Sequence, residues 1–254
     1  MTRDHSLYMA KLSGQSNRFG EMMEHMREVV KYPGLELNSE ERILFNCACK
    51  NHINSCREQL ELMSENLISD YNWEITNKLF TICNDIIRMI DNYCLPTSFS
   101  VENIVNYNQI KGDCYKYLGE IRSEREHYVI DMEAAHMSYL KAYTTAKNLH
   151  DADPMRITLA LNLSNFYRNY LRTPKNALAL AKAEYRKGME KIDELPDPLY
   201  KKTTNRLQRL REQICDWEQL DLEARLDLEK RLDRVASRTI MSPSLCTRSS
   251  LSII

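Results

Sequence analysis

Few residues in this chain can break a helix, and that scarcity sets its architecture. Its 254 residues include six glycines and seven prolines, too few for a turn-rich β protein, and Leu, Glu, Lys, Arg, Ala and Met, all good helix formers, are abundant. Within Glu41 to Gln59, ERILFNCACKNHINSCREQ, the apolar residues Ile43, Leu44, Cys47, Ala48 and Ile53 recur at helical spacing. That pattern describes a helix packed along one side. The expected class is all-α.

The breakers and caps divide the chain into helices. Asp4 to Asn17 and Arg18 to Lys31 read as two short amphipathic helices with a weak break near Gly14 to Gly20, and Pro33-Gly34 ends the second. Asn38-Ser39-Glu40-Glu41 supplies a cap and first-turn acids for a third, which can run to about Ile68. A fourth opens at Asp70 or Asn72 and stops before Pro96; Val101 to Ile121 and Glu124 to Leu149 make the fifth and sixth. Asp151-Ala-Asp-Pro154 starts a seventh, since aspartate caps and proline suits a first turn, and Thr173-Pro174 repeats the device for an eighth that ends near Leu195-Pro196-Asp197-Pro198. A ninth reaches toward Trp217. Beyond it, leucines 220, 222, 226, 228 and 232 among alternating charges read as an additional amphipathic helix over 218–237. A Ser/Thr-rich tail, 238–254, follows and is expected to be mobile unless it docks.

Charge and cysteine usage narrow the function classes. Thirty-five Lys plus Arg against 36 Asp plus Glu leave no general attraction for nucleic acid or membranes. Met1 to Ala10 holds no signal-like apolar run, and no stretch approaches the roughly 20 apolar residues of a membrane span. The eight cysteines are scattered within helix-like apolar patterns and read as reduced thiols, so the expected compartment is the cytoplasm.

Two clusters carry chemistry. Lys50 and Arg57, seven residues apart, put two cations on one helix face, and Lys111-Gly-Asp-Cys-Tyr-Lys116-Tyr117 adds a basic-plus-phenol group on a later helix. If the helices bring Lys50, Arg57, Lys116 and Tyr117 together, they form an anion pocket suited to phosphate; otherwise they are a solvated basic strip and a half-buried core tyrosine. Cys49, His52 and Cys56 share a face, but the outer two are separated by about 10 Å of helical rise, too far for one zinc with bonds of about 2.0–2.3 Å. No metal and no cofactor are expected. No Gly-rich phosphate loop, HExxH pattern or nucleophile elbow occurs, so nothing points to an enzyme.

The chain resembles the 14-3-3 family. The resemblance is carried, in family order, by KLSGQSNRFGEM (Lys11 to Met22), NSEERILFNCACKN (Asn38 to Asn51), ICNDII (Ile82 to Ile87), KGDCYKYLGE (Lys111 to Glu120), DADPMRITLALNLSNFY (Asp151 to Tyr167) and Tyr200 to Trp217. It implies nine antiparallel helices forming a concave groove over 1–217, a dimer built through the N-terminal helices, no catalytic activity, and an adaptor role. The groove would grip phosphoserine or phosphothreonine segments of client proteins.

By this resemblance Lys50, Arg57 and Tyr117 match the phosphate-gripping lysine, arginine and tyrosine, while Lys116 stands where the family has a second arginine. Lysine keeps the charge but loses the planar fork. Asp113 could orient a neighbouring cation. Asn162 matches the asparagine that bonds the ligand backbone, Leu161 and Trp217 match groove positions, and Trp217 can equally be a core anchor. Where the family presents aliphatic residues this chain has Asn165, Asn205, Arg209 and Asp216; Gln213 replaces a ligand-binding asparagine and Asn169 a glutamate. One groove wall has become polar. A second reading is therefore a helical scaffold that recognises unphosphorylated acidic partners.

Two further expectations follow from the resemblance. Arg18 and Glu21 keep the signs used across the family dimer, but the expected partners are Lys78 and Glu74, so both pairs would be like-charged. Apolar contacts through Leu12, Phe19, Met22 and Tyr71 would have to hold a homodimer that is weakened or differently angled. In the tail, Arg238-Thr-Ile-Met-Ser242-Pro243 and Arg248-Ser-Ser-Leu-Ser252-Ile-Ile254 resemble phosphorylated peptides that such grooves bind. A modified Ser242 or Ser252 could act as a tethered competitor; the alternative is an unmodified disordered tail.

Overall fold

Polar side chains at the helix ends decide where this chain turns. The computed structural model describes residues 2–64, 69–122 and 124–240, and the side chains of all of these except 63, 64, 69–71, 228 and 231–240. The predicted end of the third helix near Ile68, the side chains of Tyr71, Leu228 and Leu232, and Ser242 and Ser252 lie outside that description. Among the described residues there are nine α-helices: α1 (Arg3–Gln15), α2 (Phe19–Val30), α3 (Ser39–Ser64), α4 (Ser69–Met89), α5 (Val101–Ile121), α6 (Arg125–Ala146), α7 (Pro154–Asn169), α8 (Pro174–Lys191) and α9 (Asp197–Ile240). None of them is long and apolar enough to cross a membrane.

Asn38 caps α3 by accepting from the Glu40 and Glu41 N–H groups, both at 3.0 Å. Asp153 caps α7 by accepting from the Met155 N–H at 2.7 Å, with Pro154 in the first turn. Thr173 departs from expectation: its side chain makes no cap and donates to the Tyr167 carbonyl instead. Between α4 and Pro96 the helix widens into a π turn over Ile90–Cys94.

The ninth helix does not stop near Trp217. No proline or glycine follows Pro198 before Pro243, so α9 continues through the segment expected as a separate helix. Arg168 with Asp221, at 2.8 Å, and Lys182 with Glu218 tie this continuation to α7 and α8.

The core runs in three joined clusters. One gathers α1 to α5 around Met22, Phe45, Leu79 and Tyr107; a second packs α5 to α7 around Tyr139, Leu163 and Phe166; a third packs α7 to α9 around Ile157, Leu210 and Trp217. Contacts α3 to α5, α5 to α7 and α7 to α9 place the odd-numbered helices side by side, and it is these four that line the central cavity.

Glu184, fully buried on α8, ties α6, α7 and α8 together. It accepts from Arg156 Nε at 2.8 Å, Lys187 Nζ at 2.9 Å and the Tyr143 hydroxyl at 3.0 Å. Burial alone would raise its pKa, but the hydrogen bonds from Arg156 and Lys187 and the Arg156 charge outweigh it and hold the carboxyl below its ordinary 4.5. The folded state thus favours the ionised form, and this contribution to stability is present above pH 4.5 and lost as pH falls through the depressed value. Glu184→Gln should cost about 3–5 kcal/mol at neutral pH, as expected for one partner removed from a buried pair. Urea denaturation at several pH values should show the gap to wild type narrowing below pH 4.5; a gap independent of pH would refute this account.

Candidate functional site

Helix α3 turns two faces to different surroundings. Cys49, Ile53 and Cys56 are buried in the core, while Lys50 and Arg57, two turns apart, are left beside α5. On α5, Tyr117 is the meeting point. The Arg57 guanidinium lies 4.6 Å from its ring centroid and Lys116 Nζ 4.3 Å from it, distances at which a ring face attracts a cation. Lys50, Lys116 and Tyr117 line one cavity of about 550 Å³. Arg57 and Lys116 thus meet at the Tyr117 ring, and Lys50 shares a cavity with Lys116 and Tyr117.

The cations keep their charge available. Among the described residues neither Lys50 nor Lys116 forms an ion pair, and Arg57 only grazes Glu61 at 3.9 Å. Tyr170 adds a second ring 5.9 Å from Lys116 Nζ and donates its hydroxyl proton to Glu120. Burial, then the nearby Asp113 carboxyl, push the Tyr117 phenol above its ordinary value although Arg57 opposes them. Tyr117 is therefore a neutral donor at physiological pH.

Asp113 behaves differently from expectation. It makes no ion pair with Lys50 or Lys116; its Oδ1 accepts from the Tyr139 hydroxyl of α6 at 2.5 Å. Burial raises its pKa above 3.8, and the Lys116 charge, the Tyr139 hydrogen bond and the Lys50 charge only partly pull it back.

Leu161, Asn162 and Asn165 of α7 and Arg209 and Gln213 of α9 line the same cavity. Asn165 Nδ2 donates to Gln213 Oε1 at 2.7 Å, Gln213 Nε2 donates to Ser164 Oγ at 2.9 Å, and Ser164 donates on to the Ala160 carbonyl at 2.6 Å. The polar wall is thus hydrogen-bonded within itself. Asn162 makes no hydrogen bond among the described residues and can meet a ligand backbone.

Four residues expected at the groove sit elsewhere. Trp217 is 7% exposed, packed with Ile214 and Leu210, and covered by the Arg168 guanidinium 5.1 Å from its ring; it anchors the core and does not line the cavity. Asp216 borders an outer hollow between α8 and α9, and Asn205 and Asn169 are exposed. Sequence reasoning missed Arg206, which lines the cavity three residues before Arg209; the i, i+3 spacing was its signal. It also missed the paired amides of Asn46 and Asn106, which exchange two hydrogen bonds of 2.7 Å across the floor.

The model of the 14-3-3 protein family matches residues 9–218. The chain belongs to the 14-3-3 family. It is 36% identical over 228 residues to a 14-3-3-like protein of Fucus vesiculosus, covering 85% of this chain and 90% of that one. It is 34% identical to the 14-3-3-like protein GF14-C of Oryza sativa subsp. japonica, covering 85% and 91%, and 32% identical to 14-3-3 protein 2 of Entamoeba histolytica, covering 85% and 96%. Membership implies a phosphopeptide-binding adaptor rather than an enzyme. In this 14-3-3 chain the family match ends where α9 leaves the core beside Trp217 and runs on to Ile240.

Because the Tyr139 hydrogen bond lowers the Asp113 pKa, Tyr139→Phe should raise it further. The same change should destabilise the fold by about 1.5–3 kcal/mol, the usual worth of a hydrogen bond to a charged group. Carboxyl-carbon NMR titration and urea denaturation read the two effects; an Asp113 titration unmoved or shifted down would show that the bond does not set its charge.

Proposed function

We propose that this 14-3-3 chain grips phosphorylated Ser/Thr segments of client proteins at the Tyr117 end of its groove and regulates them by masking or clamping. The supporting observation is the gathering of Arg57 and Lys116 around the Tyr117 ring, with Lys50 on the same cavity. A phosphate monoester brings about two negative charges and several acceptor oxygens, which match three cations and a phenol donor. Lys116 acts as a point charge, so the grip is less selective in geometry than a second planar fork would be. Free thiols at all seven described cysteines support a reducing, cytoplasmic setting. The second reading, recognition of unphosphorylated acidic partners, draws on the polar wall of Asn165 and Arg209.

The tail reading gains a geometric limit. From Gln213 to Ile240, α9 extends for about 40 Å. Ser242 stands two residues beyond that end and is too near it to return to its own groove. Ser252, twelve residues beyond, reaches back at most about 40 Å when fully extended. A phosphorylated tail is therefore a ligand for a neighbouring molecule before it is one for its own.

The homodimer implied by the family is proposed to be weak. Arg18 and Glu21 pair with each other at 3.1 Å within one turn, and Glu74 and Lys78 are exposed on α4. Leu12 is partly exposed, whereas Met22 is buried within its own subunit, so less apolar surface is available than the sequence suggests. Cross-subunit pairs of like sign would be screened by salt, with a Debye length of about 10 Å at 0.1 M. Sedimentation equilibrium should show the dimer tightening as salt rises; a nanomolar, salt-insensitive dimer would overturn this.

Fluorescence anisotropy with matched phosphorylated and unphosphorylated peptides tests the main reading. Phosphorylation should tighten binding by at least about ten-fold, and Lys50→Glu should abolish the difference. Removing residues 238–254 from phosphorylated protein should raise the affinity for an outside phosphopeptide. Equal binding of both peptides, unaffected by Lys50→Glu, would favour the acidic-partner reading.

A further inference from the structure

The cavity is cationic on both sides. Opposite the Tyr117 cluster, Arg206 and Arg209 line it from α9, one turn apart. Neither makes a hydrogen bond or an ion pair with any described residue. Two buried or half-buried arginines of this half are engaged instead: Arg156 by Glu184 at 2.8 Å and Asp151 at 2.5 Å, and Arg168 by Asp221 at 2.8 Å. Among the described lining residues, Asp113 is the single carboxylate set against Lys50, Lys116, Arg206 and Arg209. Tyr139 already occupies one of its oxygens. This excess sits in a chain whose net charge is −1.

The arginines stand on α9, whereas the phosphate grip is built on α3 and α5. The wall between them offers no alternative. Asn165, Gln213 and Ser164 are bonded to one another, and Arg209 stands where the resemblance implies an aliphatic residue. What this wall presents unsatisfied is positive charge, and guanidinium groups take carboxylate or phosphate in a planar fork.

We propose that the groove selects doubly anionic segments: a phosphorylated Ser or Thr at the Tyr117 end, and a second anionic group on the same segment held by Arg206 and Arg209. The second group is a carboxylate or a further phosphate. The proposal rests on the phosphate reading of the Tyr117 end and adds to it a specificity pair on α9.

The test is a peptide series on the full chain. A phosphoserine peptide with neutral flanks is compared with versions carrying one Asp, or a second phosphoserine, at each flanking position in turn. The quantity read is the ratio of affinities for the acid-bearing and neutral-flanked peptides. In wild type it should reach about ten at one or two adjacent positions on one side of the phosphoserine and stay near one elsewhere. In the Arg206→Ala/Arg209→Ala variant it should fall to about one at every position, and Arg206→Lys/Arg209→Lys should restore part of it. Whether Asp or phosphoserine gains more identifies the source of the charge. A ratio that is equal at all positions, or unchanged in the alanine variant, would overturn the second site while leaving the phosphate grip standing. Unphosphorylated acidic peptides that match the phosphorylated ones, with Lys50→Glu silent, would remove the phosphate reading and the proposal together.

Discussion

Everything about the groove depends on how closely α5 and α6 approach. At Gly112 a Cβ would lie 2.8 Å from the Tyr139 ring, and at Gly119 it would lie 2.5 Å from the Met132 methyl. The two glycines are seven residues apart, as are Met132 and Tyr139 on the facing helix, so the missing side chains form a flat track along which α6 lies. That approach buries the Tyr139 ring and aims its hydroxyl at Asp113. It also fixes the rotation of α5, whose Asp113, Lys116 and Tyr117 line the cavity. A side chain at Gly112 would press on the Tyr139 ring, and overpacking of this kind commonly costs about 1–3 kcal/mol, whereas at Gly119 the Met132 methyl can move aside.

The charge pattern follows from the same frame. Inside the helical layers the arginines find carboxylates: Arg3 meets Glu41, Arg156 meets Glu184, and Arg168 meets Asp221, each at 2.8 Å. Such pairs offset the desolvation of their charges. Among the described residues that line the cavity, the single carboxylate is Asp113, whose pKa burial raises. A nearly neutral chain thereby concentrates positive potential in one concavity, and the anion must come from outside.

Much of this is legible in the sequence, because caps and breakers act locally. Asn38 and Asp153 set helix starts through hydrogen bonds to residues two or three positions away, and Lys50 with Arg57 share a face by spacing alone. What escapes depends on partners distant in sequence. Trp217 belongs to the core because Leu207, Leu210 and Ile214 on its face all turn inward, a fact visible only once α9 is seated on α7 and α8. The role of Asp113 is set by Tyr139, 26 residues away on another helix. Thr173 looks like a cap, but the Tyr167 carbonyl takes its hydroxyl. The length of α9 illustrates the opposite lesson, since the leucine pattern beyond Trp217 suggested a new element where no residue breaks the old one.

The two ends of the groove are held by different physics, and this bears on how specificity can change without loss of the anion grip. Lys50, Arg57, Lys116 and Tyr117 are positioned by α3 and the glycine track of α5, neither of which touches the sequence of α9. The opposite wall consists of side chains whose backbone is secured elsewhere, by Leu207 and Leu210 in the core and by Thr203 donating to the Ala152 carbonyl at 2.8 Å. Replacing its cavity-facing residues therefore alters what the groove selects without disturbing α9. Asn165 donates to Gln213 and Gln213 donates to Ser164, so the amide donors of this wall find partners within it. On this wall the proposed charge selection rests on Arg206 and Arg209, with Leu161 and Asn162 of α7 beside them in the same cavity.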